Sequence, residues 1–400
     1  MPHDTLINAP LRKLPIGIQS FEKLRSENFL YVDKTVLIYR LAQAGNPCFL
    51  NRPRRFGKSL LLSSFEAYFQ GKKELFRGLA IEKLEKEWLQ YPVLHLSLNA
   101  EKYDSREGLV DILERQLRQW EELYRTGGEG ITHSGRFMTV IRRACEQTGR
   151  RVVVLIDEYD KPLLRSFDNQ ELQHDFRETL TAFYTVLKDA DPWLQFVFIT
   201  GVTKFAQMGI FSNLNQLNDI SFDLDYNTLC GMTRAEIEAT FSPELEALAV
   251  KSNATCRQVM DRLTRQYDGY RFTKDEEFTS MYNPFSVLSA LQKRSYGNYW
   301  FATARSGIIR RCSTSSSSLW GSLRRRRSGS AWGRADAVVK TPDYIYVFEF
   351  KLNDSAEAAL RQIDEKGYLL PYQADGRKVV KVGVAFEKEE RNIGKWVIGG

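Results

Sequence analysis

Histidine and cysteine are scarce in this 400-residue chain, with four of the first and five of the second. Cys48, Cys145, Cys230, Cys256 and Cys312 are scattered and form no C-x-x-C pair, so neither a disulfide framework nor a zinc knuckle follows. His3, His95, His133 and His174 lack ligand spacing, and His95 lies in the strand-like run Val93-Leu94-His95-Leu96, where a structural histidine is the simpler reading. Long apolar runs are missing too. Stretches such as Val152 to Ile156 fall far short of the roughly 20 residues of a membrane-spanning helix, so no membrane partner is expected. The opening Met1-Pro2-His3-Asp4 has no basic flank followed by an apolar stretch, so no secretory signal is read and the expected location is cytoplasmic.

A basic face is absent as well, although 57 Lys and Arg against 50 Asp and Glu give a formal charge of +7. Arg305, Arg310, Arg311, Arg324, Arg325, Arg326, Arg327 and Arg334 crowd one acid-free stretch, and setting these eight aside leaves 49 basic against 50 acidic residues. The same stretch holds Ser313-Thr314-Ser315-Ser316-Ser317-Ser318, a composition that builds no packed core. Residues 304–333 therefore read as a solvated, disordered linker in preference to a phosphate-binding tract.

Elsewhere the chain is rich in what a globular protein needs. With 43% hydrophobic and 12% aromatic residues it can offset its ordering entropy, and its length suggests two or three domains. Short apolar runs alternate with long amphipathic stretches, which predicts an α/β fold around a mostly parallel sheet. The expected strands are Cys48 to Asn51, Val93 to Leu98, Val152 to Ile156 and Gln195 to Thr200, with Ile220 to Leu224 as a weaker fifth. Helices are expected over Ser59 to Gln70, Ser105 to Tyr124 and Asn169 to Asp189. From residue 231 to 303 the pattern is largely helical, with a capping box at Thr233-Arg234-Ala235-Glu236, and reads as a lid on a first domain of residues 1–230. Residues 334–400 read as a second small α/β unit. There Arg334 to Lys340, Tyr344 to Phe350 and Val379 to Phe386 are strands, with a turn at Thr341-Pro342-Asp343 and a helix from Ser355 to about Tyr368.

The sharpest chemical signal is Asn51-Arg52-Pro53-Arg54-Arg55-Phe56-Gly57-Lys58-Ser59, between an apolar strand and an apolar helix. In such a motif Gly57 would let backbone amides approach a triphosphate, Lys58 would neutralise β/γ oxygens, and the Ser59 hydroxyl could ligate Mg²⁺. The full G-x-x-x-x-G-K-S pattern has glycine where this chain has Arg52, so the motif alone is weak. Support comes from the strand Val152 to Ile156, which delivers Asp157 and Glu158 to the carboxyl edge of the sheet, where ligands of open α/β sheets bind. There Asp157 can hold Mg²⁺ through water and Glu158 can polarise the attacking water. In ATPases with a strand inserted between these two elements, a polar residue at its end senses the γ-phosphate, a role open to Thr200 or Thr203. Arg54 or Arg55 could meet the γ-phosphate of this chain's ATP or of a neighbouring protomer's, so an oligomer is compatible with the sequence.

Five ordered motifs carry a family resemblance: Leu14-Pro15-Ile16-Gly17, Phe29-Leu30-Tyr31-Val32-Asp33-Lys34-Thr35, Arg52 to Ser59, Leu155-Ile156-Asp157-Glu158-Tyr159-Asp160, and Thr200-Gly201-Val202-Thr203-Lys204-Phe205. Together they resemble the bacterial AAA-ATPase-like family, over about Leu14 to Trp300. That family's loop carries the arginine-proline form found here, and its members typically end in a PD-(D/E)XK nuclease-like domain with a restriction-endonuclease-like fold. The resemblance then implies Asp336 and Glu349 as metal ligands and Lys351 as the catalytic lysine, with Gln362 and Tyr368 at auxiliary positions. It implies DNA as a partner of the tail. Residues 305–332 stand where the family has further helices, among them the first helix of the nuclease core, which implies an internal truncation.

The function expected is that of an ATP-binding, Mg²⁺-dependent P-loop ATPase coupled to a nuclease-like module. The alternative is an ATP-regulated DNA- or partner-binding protein that keeps an inactive nuclease remnant.

Overall fold

The computed structural model describes residues 12–99, 102–127, 132–167, 169–203, 216–273, 280–297, 299, 337–340, 344–351, 354–372, 377–387 and 392–399. The chain divides into two compact units, Met1–Tyr296 and Gly297–Gly400.

In the first unit, α1 (Phe21–Ser26) and α2 (Thr35–Ala44) precede β1 (Cys48–Asn51), which leads into α3 (Lys58–Phe69) and the short α4 (Ile81–Leu84). Next come β2 (Val93–Ser97), α5 (Arg106–Tyr124), α6 (His133–Thr148), β3 (Val152–Asp157), α7 (Lys161–Arg165), α8 (Gln170–Asp189), β4 (Leu194–Gly201) and β5 (Asn218–Asp219). The strands pair in parallel in the order β2-β3-β4-β1-β5, so β4 stands between the strand before the phosphate loop and the strand before the acids.

Alternation along β4 shows how the sheet is covered. Phe196 and Phe198 pack on Phe65 of α3, while Val197 and Ile199 join the core built with α5, α6 and α8. All six residues of β3 are buried, as a strand covered on both faces must be. Helix starts are satisfied locally: Thr132 Oγ1 accepts from Gly135 N at 3.1 Å and Asn169 Oδ1 from Leu172 N at 3.1 Å.

The weaker fifth strand differs from expectation. Pairing is confined to Asn218–Asp219, and Ile220–Phe222 coils into a 3₁₀ turn. Asp219 Oδ1 accepts from Ser221 N at 3.0 Å, and this side-chain turn pulls the backbone out of the sheet before Ile220 can join it.

The rest of the unit is helical: α9 (Arg234–Thr240), α10 (Ser242–Lys251), α11 (Cys256–Tyr267) and α12 (Pro284–Lys293). The capping box at Thr233 is formed, with Glu236 N donating to Thr233 Oγ1 at 3.2 Å and Thr233 N to Glu236 Oε2 at 2.8 Å. Antiparallel bridges Met232–Tyr282 and Tyr270–Met281 tie the segment together beside the phosphate loop.

The second unit contains β6 (Ala337–Lys340), β7 (Tyr344–Lys351), α13 (Ala356–Glu365), β8 (Lys378–Glu387) and β9 (Asn392–Gly399). They form a mixed sheet in the order β6-β7-β8-β9, antiparallel at both ends and parallel at the centre. Ile345 and Val347 pack on Ile363, Tyr368 and Tyr372, while Val380, Val382 and Val384 share the opposite face with Tyr346, Phe348 and Phe350. The edge strand β9 was not expected. The Arg/Ser-rich stretch 304–333, the turn at 341–343 and Asp336 lie outside the described residues. Among the described residues, no helix is long and apolar enough to cross a membrane.

Candidate functional site

The phosphate loop leaves β1 at Asn51 and enters α3 through Gly57, which is left-handed at φ 93°. Lys58 is the first residue of α3, and its buried Nζ donates to the carbonyls of Arg52 at 2.9 Å and Pro53 at 3.1 Å. Burial pushes the Lys58 ammonium below its ordinary pKa, and Asp157, the strongest opposing charge, raises it.

Three chain segments meet on Asp157, the last residue of β3. Ser59 Oγ donates to its Oδ2 at 2.5 Å and Thr200 Oγ1 to its Oδ1 at 2.6 Å. The inserted strand β4 thus supplies Thr200 to this carboxylate. Thr203 goes elsewhere: its N–H and that of Val202 donate to Asp160 Oδ2 at 2.7 and 3.0 Å, and its hydroxyl donates to the same oxygen. Glu158 leaves the strand at a positive φ of 53° and lies 3.5 Å from Lys161 Nζ, which also donates to the backbone and side-chain oxygens of Asn99.

The loop arginines separate. Arg54 is exposed. Arg55 stacks on Phe285 at 3.9 Å, and its Nη1 is buried without a hydrogen-bond partner among the described residues. Arg52, which stands where the full phosphate-loop pattern has glycine and which the family resemblance reads as part of an arginine-proline loop, is fully buried.

In the second unit, Glu349 and Lys351 of β7 point toward α13, where Gln362 binds both. Its Nε2 donates to Glu349 Oε1 and, at 3.3 Å, to the Tyr368 hydroxyl, while its Oε1 accepts from Lys351 Nζ. Lys351 Nζ is 3.7 Å from Glu349 Oε1, and Glu349 is only 4% exposed. The helix comes this close because Gly383 of β8, opposite Glu349, carries no side chain: a Cβ there would sit 2.1 Å from the Ala356 carbonyl.

Residues 15–211 match the family described as Predicted AAA-ATPase, and residues 328–396 match the PD-(D/E)XK nuclease superfamily. The first unit carries an AAA-ATPase-like domain. A protein of Azotobacter chroococcum mcd 1 described as "Uncharacterized protein in vnfD 5'region" is 38% identical over 293 residues, which are 73% of this chain and 54% of that protein. The chain spans about half the length of that curated relative.

The donor set of the AAA-ATPase-like domain fits a nucleotide with Mg²⁺. Among the described residues, no three His, Cys, Asp or Glu side chains gather as a metal cage. Mg²⁺ rarely needs one, since it keeps several waters and takes one or two protein oxygens plus substrate phosphates. Ser59 and Asp157 supply such oxygens beside the buried Lys58 ammonium, and Arg55 Nη1 has no acceptor among the described residues.

Spacing alone did not single out Asp160 or Lys161. Their partners, Thr203 and Asn99, stand 43 and 62 residues away in sequence.

Proposed function

We propose that the AAA-ATPase-like domain binds ATP with Mg²⁺ and hydrolyses it, and that the C-terminal unit is a metal-dependent nuclease module acting on DNA. One contact carries the first half: the 2.5 Å hydrogen bond from Ser59 to Asp157, which brings the start of α3 and the end of β3 to one point.

In this reading Lys58 and the amides at the start of α3 neutralise β- and γ-oxygens. Ser59 and Asp157 would hold the Mg²⁺, the latter through water, and Thr200 keeps that carboxylate in place. Bound Mg²⁺ would supply the charge that stabilises the leaving phosphate. Glu158 takes the proton of the attacking water, and Arg55 donates to the γ-phosphate.

In the tail, Asp336 and Glu349 are the proposed metal ligands, and Lys351 orients water or steadies charge at the scissile phosphate. Gln362 supports this assignment because it fixes Glu349 and Lys351 side by side.

Binding of a fluorescent ATP analogue and turnover by the full chain test the proposal. Lys58→Ala should weaken binding at least about tenfold, while Glu158→Gln should bind normally and turn over about 100-fold more slowly. Equal affinity of the wild type and Lys58→Ala would refute the ATP site. Plasmid nicking with Mg²⁺ or Mn²⁺ should disappear in Glu349→Ala and in Lys351→Ala. DNA retention without metal or cleavage would instead place the tail in the binding class.

A further inference from the structure

Arg52 occupies the place where the phosphate-loop pattern carries its first glycine, yet its side chain turns inward. Its backbone N donates to Gly201 O at 3.2 Å, extending the β1–β4 pairing by one residue. Its guanidinium, 0% exposed, donates to the carbonyls of Asn51 at 2.9 Å, Ser221 at 2.7 Å, Tyr226 at 3.3 Å and Asn227 at 3.4 Å. Every one of these acceptors is a neutral backbone oxygen. The guanidinium also lies 4.0 Å from the centre of the Phe272 ring, in the helical segment.

A buried cation without a hydrogen-bonded carboxylate is costly, and burial drives the Arg52 pKa down to about 10. A methionine would fill similar space without that cost. What the guanidinium provides instead is reach in several directions at once, from the loop to residues 221–227 and to Phe272. Two neighbours point the same way. Phe56 packs edge-on against Tyr270 and Phe272, with its carbonyl accepting from Gly231 N at 3.2 Å, and Arg55 stacks on Phe285 at the start of α12.

We infer that Arg52 is a positioning residue that fastens the phosphate loop to the helical segment through Phe272, so that the segment follows the loop when a nucleoside triphosphate binds. The inference rests on the ATP reading above. The link to the ligand is Lys58, whose ammonium donates to the Arg52 carbonyl. Phosphate oxygens that draw Lys58 toward themselves weaken this hydrogen bond and release the Arg52 carbonyl to reorient, while its N–H stays on Gly201 O. The Arg52 side chain passes this change to 221–227, which leads into the segment, and to Phe272 within it.

The test uses the full chain with a fluorescent ATP analogue, steady-state turnover, and amide hydrogen exchange across residues 233–293 with and without ATP and Mg²⁺. Arg52→Lys keeps the charge but loses the fork, and Phe272→Leu removes the ring that Arg52 and Phe56 pack against while leaving every loop residue unchanged. Wild type should show ATP-dependent protection of 233–293. Phe272→Leu should hold ATP affinity within about threefold, lose about tenfold or more in kcat, and lose that protection. Arg52→Lys should resemble it, and a lowered Tm with protection intact would reduce Arg52 to a structural role and overturn the inference. Protection that persists in Phe272→Leu overturns it too. If the wild type itself fails to bind the analogue, the ATP reading has failed and the inference falls with it. Binding that survives while protection is insensitive to both variants sinks the inference alone.

Discussion

Gly201, the last residue of β4, lies tightly against Tyr159 and Asp160, and Gly201→Ala is an informative single-methyl perturbation of the site. An alanine Cβ would lie 2.3 Å from Tyr159 Cε1, 2.5 Å from Cδ1 and 3.1 Å from Asp160 Oδ1. Ordinary contact begins near 3.4 Å, so the ring must retreat by about 1 Å. It has little room. Tyr159 is 0% exposed, stands edge-on to Phe49 with centroids 5.4 Å apart, and has its N–H on the Thr200 carbonyl at 3.0 Å. Overpacking of this kind costs about 1–3 kcal/mol, so the urea midpoint should fall clearly. Turnover should fall further than stability accounts for. Tyr159 separates the proposed base Glu158 from Asp160, which holds Val202 and Thr203, and a 1 Å misplacement near reacting groups costs about 100-fold. Lys58 and Ser59 belong to another element, so ATP affinity should change little. Wild-type stability together with wild-type turnover in Gly201→Ala would refute the claim that this glycine is required by close approach.

Two further predictions concern the periphery of the same unit. Arg136 of α6 donates to both oxygens of Glu121 at 2.7 Å and to Glu114, and it holds the Glu114 carboxyl below its ordinary pKa. A depressed carboxylate contributes stability that is present above its unfolded pKa of about 4.3 and is lost as pH falls through the folded value. The difference in urea midpoint between wild type and Arg136→Met should therefore shrink from pH 7 toward about pH 3.5, and a constant difference would contradict the linkage. Among Cys48, Cys145, Cys230 and Cys256, alkylation at about pH 8 should reach Cys256 first, because only the thiolate reacts. Cys256 is exposed, whereas burial raises the Cys48 thiol to about 12 and pushes Cys230 upward as well. Peptide mapping that finds native Cys48 labelled as fast as Cys256 would disprove this.

What the sequence revealed of the fold follows the range of the forces involved. The continuous apolar run before Asp157 announced a strand, and Thr233 with Glu236 announced a helix start, because both signals are complete within a few residues. Asn218–Asp219 was hidden because a local side-chain turn at Asp219 competed with the apolar pattern of Ile220 and Phe222. The edge strand β9 mixes Trp396 and Ile398, both largely exposed, with glycine and lysine, and offers no clean alternation. At the candidate site, the sequence pointed to Gly57-Lys58-Ser59 and Asp157-Glu158, and Ser59 and Asp157 do meet, whereas the different partners of Thr200 and Thr203 were not legible. Their opposite assignments, to Asp157 and Asp160, arise from the pleat of β4 and from the backbone that follows it. Arg52 misled most. Spacing marks it as a departure from glycine, and its side chain's partners, the buried carbonyls of residues distant in sequence, are visible only in the fold.

The direction of one proton organises the proposed chemistry. Thr200 and Ser59 each give their hydroxyl hydrogen to a different oxygen of Asp157, so the carboxylate is held at both ends and its rotamer is fixed. Having donated, Ser59 keeps two oxygen lone pairs directed away from Asp157. Those lone pairs are what a small, hard cation takes, and Asp157 retains capacity to accept from a water in that cation's shell. Insertion of β4 makes this possible. With β3 directly beside β1, no strand end would lie between them to offer Thr200, and Oδ1 would need another donor in a buried setting where an unpaired oxygen costs about 1–3 kcal/mol or more. The order of strands in the sheet is thus a condition for holding the carboxylate at both ends, which no local feature of the phosphate loop could supply.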